Sequence, residues 1–210
     1  MVASLPGSAP RAGLGAIAVI VGLVGADAQA QETDSSLVAE VITQDLDGDG
    51  GPETVVLFRD KDGILRRAEA DSNADGLADM WVVYSYPDEG GMLAEFALDR
   101  RGDGEPDEWR WSVDGVPTRV ARDVRGDPRP DIWSLLNPDG RVIAVESDTS
   151  GDGSADTWSE VREDGQLENT AYDTRGDGRP DRWIFYAADG AVERIERDTD
   201  GDGEPDEVIR

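Results

Sequence analysis

The chain has 210 residues, of which 47 are acidic and 20 basic, for a formal net charge of −27. A field of that sign repels nucleic acid and anionic membrane surfaces, so the composition argues against both as partners and for cations. Histidine and cysteine are absent and Lys61 is the sole lysine, which removes the commonest general base, the usual zinc ligands, disulfide staples and the common thiol and amine nucleophiles.

Hydrophobic residues make up 38% of the chain and aromatic ones 6%, so only a thin core is expected and the acids need a compensating ligand. The length suits one domain or an array of small repeats. At the N-terminus Arg11 precedes an apolar run from Leu14 to Val24 and then Ala28-Gln29-Ala30. This is the pattern of a secretory signal peptide over residues 1–30, with cleavage expected after Ala30 and a secreted or periplasmic product. The apolar run is shorter than the roughly 20 residues that span a bilayer, so the mature chain, 31–210, is not expected to cross a membrane. A small exported domain without disulfides usually depends on metal or on oligomerisation.

From Ser36 to Gln44 the sequence is an extended run that leads into the first of seven copies of one loop. The pattern D-x-x-G-D-G-x-x-D, with isolated departures, begins at Asp45, Asp71, Asp99, Asp123, Asp148, Asp173 and Asp198, in steps of 26, 28, 24, 25, 25 and 25 residues. A near-constant period of this kind marks a repeat architecture. Oxygen donors at the first, third, fifth and ninth places are Asp45, Asp47, Asp49 and Glu53 in the first copy and Asp71, Asn73, Asp75 and Asp79 in the second. The fifth copy offers Asp148, Ser150, Asp152 and Asp156, and the seventh Asp198, Asp200, Asp202 and Asp206. The third, fourth and sixth copies keep three carboxylates but place Arg101, Arg125 and Arg175 at the third position, and the fourth has Pro128 where the others have glycine. A guanidinium cannot ligate calcium, yet it can sit near carboxylates and replace part of an ion's charge. Proline, with φ fixed near −65°, is not expected to adopt the positive φ of that glycine.

Calcium takes about six to eight oxygens at about 2.3–2.6 Å, and a loop delivers them from alternate positions when it turns sharply at a central glycine. Carboxylates held that close otherwise repel by roughly 4 kcal/mol per pair at an effective dielectric near 20. The first, second, fifth and seventh copies are therefore the candidate calcium loops. Arg-Gly-Asp, at Arg101, Arg125 and Arg175, also spells an adhesion tripeptide. It recurs because arginine replaces a ligand ahead of the loop's Gly-Asp pair, so the loop reading is preferred.

These loops resemble the calcium loops of EF-hands and, more closely, the shorter D-x-D-x-D-G-x-x-D loops of FG-GAP and VCBS-type bacterial and integrin-propeller repeats. The resemblance covers the loops and not a helix-loop-helix. An EF-hand carries a bidentate glutamate at the twelfth place, where this chain has Val56, Val82, Arg110, Ser134, Ser159, Ile184 and Ile209. Thrombospondin type-3 repeats share the aspartate rhythm but have cysteines, which are absent here. The resemblance implies calcium as the ligand and an exported, repeat-built protein.

Between loops, each segment reads as two short strands about a turn. The turns are Asp62-Gly63, Glu89-Gly90-Gly91, Asp114-Gly115, Asp139-Gly140, Asp164-Gly165 and Asp189-Gly190, and Asp-Gly flanked by alternating apolar residues signals a hairpin. Trp81, Trp109, Trp133, Trp158 and Trp183 each lie two residues past a ninth loop position. Packing between hairpins is favoured for these rings over an exposed carbohydrate platform, and Trp111, out of that register, is the better candidate for an exposed ring. The fold class expected is all-β, tandem hairpin repeats of about 25 residues joined by calcium-type loops. An open or coiled stack is favoured over a closed propeller-like ring sealed by the two ends. The function expected is that of a non-enzymatic structural, adhesive or surface-associated protein stabilised by calcium ions, with a cell-surface or polysaccharide partner. A lectin-like or propeller binding module is the alternative. Enzymatic use of paired carboxylates is disfavoured because the pairs repeat, whereas a catalytic pair is singular and set in a pocket.

Overall fold

Asp-Gly turns on one side and aspartate loops on the other leave five to seven residues of alternating pattern between them, enough for a strand and too few for a helix. The computed structural model describes residues 36–45, 51–88 and 90–210, so the signal-peptide expectation at 1–30 and the ligands Asp47 and Asp49 lie outside the described residues. Fourteen strands follow in order: β1 Val38–Gln44, β2 Glu53–Arg59, β3 Leu65–Asp71, β4 Met80–Ser85, β5 Leu93–Leu98, β6 Glu108–Val113 and β7 Val116–Arg122. They continue with β8 Ile132–Leu136, β9 Val142–Ser147, β10 Thr157–Val161, β11 Leu167–Tyr172, β12 Arg182–Tyr186, β13 Val192–Arg197 and β14 Glu207–Ile209. Among the described residues there is no helix, and so none long and apolar enough to cross a membrane.

All fourteen strands form one antiparallel meander in sequence order, and each touches only its neighbours in that sheet. The first and last strands do not pair, so the sheet is open and the ring alternative is overturned. The six hairpins β2–β3 to β12–β13 turn at one end of the sheet, and the second to seventh aspartate loops lie at the other. In the β6–β7 turn both central residues are left-handed, Asp114 at φ 50° and Gly115 at φ 79°, the two-residue geometry that Asp-Gly favours. Around Asp62-Gly63, Asp139-Gly140, Asp164-Gly165 and Asp189-Gly190 the chain makes a longer turn, in which the glycine N–H donates three residues back, as Gly63 does to Asp60.

A one-layer sheet has no second layer to cover its faces, and among the described residues no large side chain is fully buried. Lateral rows of side chains do the packing instead, because residues paired across antiparallel strands share a face. One row crosses the whole sheet: Val41, Val56, Glu69, Trp81, Ala97, Trp109, Ala121, Trp133, Glu146, Trp158, Ala171, Trp183, Glu196 and Val208. Tryptophan thus occupies alternate strands, about 9.5 Å apart at the usual strand spacing, with alanine or glutamate between. Where alanine intervenes the rings close over it: Trp109 is buried with Ala97 and Ala121, and Trp81, Trp111 and Trp133 pack against them. The other tryptophans are half-buried, so the rings pack between hairpins as expected. Trp111 is also half-buried, contrary to its expected exposure, because Arg119 lies over its ring at 5.6 Å and its indole joins the Trp109 cluster.

Where glutamate replaces alanine in the row, an arginine neutralises it and covers an aromatic ring. Arg67 stands 4.1 Å over Phe58 and 3.0 Å from Glu69, and Arg194 stands 3.5 Å over Phe185 and 2.7 Å from Glu196. Arg119 pairs with Glu146 at 3.4 Å in the same way. The opposite face carries its own cluster of Ala68, Val82 and Ala94, with Leu57, Met80, Tyr84 and Phe96 against it.

Candidate metal-binding loops

Each loop from the second to the seventh begins with an aspartate whose carboxylate gathers N–H groups of its own turn. Asp148 accepts from Gly151 at 2.6 Å and Gly153 at 2.8 Å; Asp198 accepts from Gly201 at 2.6 Å and Gly203 at 2.9 Å. The turn that presents these donors needs left-handed backbone at two places. The sixth-position glycines Gly153 and Gly203 sit at φ 91° and 92°, and the fourth-position Gly151 and Gly201 at 86° and 87°. The fourth loop departs as its sequence implies, but less completely than expected. Pro128 has φ 27°, positive yet well short of the glycine value, so the expectation that proline leaves the positive region is not met there.

The ninth carboxylate closes the loop from the other side. Asp156 accepts from the N–H and hydroxyl of Thr149 and the N–H of Ser150, and Asp206 from the N–H and hydroxyl of Thr199. The fifth aspartate behaves differently: Asp75, Asp152 and Asp202 each accept from the N–H two residues on, at 2.9, 2.8 and 2.8 Å. In the seventh loop Asp198, Asp200 and Asp206 bring one carboxylate oxygen each within 4.8 Å of one another, and Asp202 is not part of that group. Among the described residues no other set of three acidic groups comes so close. In the second loop Asp71, Asn73, Asp75 and Asp79 keep their places, but Asn73 Oδ1 accepts from Asp75 N at 3.0 Å. In the fifth, Ser150 Oγ lies 3.2 Å from Asp148 Oδ1. Of the first loop, Asp45 follows β1 and Glu53 is buried at the start of β2.

Successive loops are joined edge to edge. The first-position N–H donates to the ninth-position carbonyl of the loop before it, as Asp148 does to Asp131 at 2.8 Å and Asp198 to Asp181 at 3.0 Å. Two carboxylates therefore meet at each junction, and the third-position arginines serve both. Arg101 donates from Nε to Asp107 at 3.1 Å and from Nη2 to Asp123, in the next loop, at 2.6 Å. Arg125 pairs with Asp131 at 2.8 Å and with Asp148 at 3.5 Å, and its Nη2 also donates to the Asp148 carbonyl. Arg175 lies 3.7 Å from both Asp181 and Asp198, and its Nη2 donates to the Asp198 carbonyl. The arginine seats against the fourth-position glycine of the following loop: a Cβ on Gly126, Gly151 or Gly201 would meet a guanidinium nitrogen at 3.0–3.1 Å.

The covered carboxylates are the buried ones. Asp107, Asp123, Asp131, Asp148, Asp181 and Asp198 are all buried, whereas Asp79 and Asp99, or Asp156 and Asp173, at junctions whose third residue is Asn73 or Ser150, are not. Burial pushes Asp198 and Asp148 up, but glycine N–H donors and the nearby arginine outweigh it and hold both below the ordinary carboxylate value. Asp173 is also held low, by backbone N–H groups alone against the effect of burial. These three carboxylates are thus held in their ionised form.

The arginine spacing was visible in the sequence as a spoiled ligand position, but its reach into the next loop was not. Arg101 and Asp123 are 22 residues apart, and only the strand register brings them together. Comparison with known protein families finds no matching family model, and no curated protein sequence matches the chain.

Proposed function

We propose that this is a non-enzymatic, exported calcium-binding repeat protein of structural, adhesive or surface-associated role, in which calcium at the loop end of the sheet stabilises the fold. The observation that carries the reading is the seventh loop, where Asp198, Asp200 and Asp206 converge within 4.8 Å. Its support is that a protein cation, Arg175, already lies against the same Asp198. Export rests on the N-terminal sequence pattern, and an extracellular site of this kind typically works at roughly 10⁻⁴ to 10⁻³ M calcium. Because the ion binds only a formed loop, its binding adds to folding stability, by about 2.7 kcal/mol at a hundredfold excess over Kd. Calorimetric titration of residues 31–210 with calcium, paired with thermal melts in calcium and in chelator, tests this. A binding heat and a higher Tm in calcium are expected; zero heat with identical melts refutes it.

A further inference from the structure

We infer that Arg175 of the sixth loop sets the cation affinity of the seventh, the two loops sharing Asp198 between a guanidinium and an ion. This rests on the proposed calcium reading. Arg175 bridges the loops, 3.7 Å from Asp181 of its own loop and 3.7 Å from Asp198 of the next. Its Nη2 bonds the Asp198 backbone carbonyl, and its Nη1 would sit 3.1 Å from a Cβ at Gly201, so the side chain lies along the turn that shapes the site. A shallow cleft between the loops is lined by Arg175, Asp177, Asp181, Asp198, Gly201 and Gly203. A divalent ion drawn to Asp198, Asp200 and Asp206 enters beside this fixed positive charge, and the two repel while competing for one buried carboxylate. The sequence alone assigns Arg175 the loss of a ligand in its own loop. The geometry gives it a second effect, one loop further along the chain.

The same position makes the effect testable apart from the calcium reading itself. Calcium is titrated calorimetrically into residues 31–210 of the wild type, of Arg175→Met and Arg175→Gln, and of Arg59→Met. The last removes one positive charge on β2, far from the seventh loop. Both Arg175 variants are expected to bind about tenfold more tightly at one site, equivalent to about 1.4 kcal/mol, and Arg59→Met to bind like the wild type. Adding Asp200→Ala should abolish the gain, which places it in the seventh loop. Glutamine keeps a donor for the Asp198 carbonyl, so if the methionine variant melts too early to titrate, the glutamine variant carries the test. Calcium binding that is equal in Arg175→Gln and Arg59→Met overturns the inference and leaves the calcium reading standing. Absence of binding in every variant overturns both.

Discussion

Replacing Arg101 with methionine removes a guanidinium from between two loops while keeping most of its apolar stem. The lost bonds are those to Asp123 at 2.6 Å and Asp107 at 3.1 Å. The Asp123 side chain is 0% exposed and that of Asp107 8%, whereas Arg101 itself is 39% exposed. Exposed ion pairs contribute about 0–1 kcal/mol, and removing one partner of a fully buried pair costs about 3–5. This bridge lies between those limits, with dry acids and a wet cation. Each acid also keeps backbone donors, Gly126 for Asp123 and Arg100 for Asp107. A loss of about 2 kcal/mol is therefore expected, below the buried limit because of those remaining donors. Urea unfolding followed by tryptophan fluorescence and far-ultraviolet circular dichroism measures it. Asp123→Asn removes the charge left uncompensated, so the double variant should recover part of the loss, with a coupling of about 1 kcal/mol. A change under about 0.5 kcal/mol for Arg101→Met, or strict additivity in the cycle, would refute the claim that the arginines hold adjacent loops together.

The tryptophan row makes a graded prediction. Trp109→Ala, at the buried centre of the Ala97–Ala121 cluster, is expected to cost about 3–5 kcal/mol, and Trp183→Ala, half-buried, distinctly less; equal losses in thermal or urea melts would contradict the row packing. Glu95 lies on the tryptophan face between Val83 and Trp111, and burial raises its pKa above the ordinary 4.5 with no compensating cation. Its charge therefore costs stability above the folded pKa, and that cost fades as the pH falls through it. Glu95→Gln should raise Tm at pH 7, with the gain closing below the ordinary value of 4.5; a gain independent of pH in a series of melts would argue for packing instead.

Much of this architecture was readable because it is local. A turn at Asp114-Gly115, a strand over Arg182–Tyr186 and a loop over Asp198–Asp206 each follow from a few neighbouring residues, and the structure has them where the pattern places them. What was not readable depends on register. The alternation of Trp109 with Ala97 and Ala121 is a property of three strands, and no stretch of sequence contains it. The same holds for Arg119, which covers Trp111 from one strand away and reaches Glu146 two strands beyond itself. The fifth-position aspartates were read as ligands by their spacing. In the structure Asp75, Asp152 and Asp202 each also accept from the N–H two residues on, a local partner that spacing does not reveal.

The sheet has to hold together without a second layer, and this explains why its loop end is built as it is. Each strand meets only its neighbours, so every added hairpin brings the same small increment of burial, a row position on each face. Each added loop also brings several carboxylates to one end of the sheet, and the net charge of −27 is the result. Burial per repeat stays constant while like charge accumulates along the edge, so the electrostatic term has to be met repeat by repeat. At three junctions the chain meets it internally, with Arg101, Arg125 and Arg175, and there the carboxylates are buried. At the junctions of Asp79 with Asp99 and of Asp156 with Asp173 no arginine stands between the loops, and the same carboxylates stay partly open to solvent. The degenerate loops are thus the self-sufficient ones: an arginine that removes a ligand from one loop supplies, permanently, positive charge to the boundary with the next.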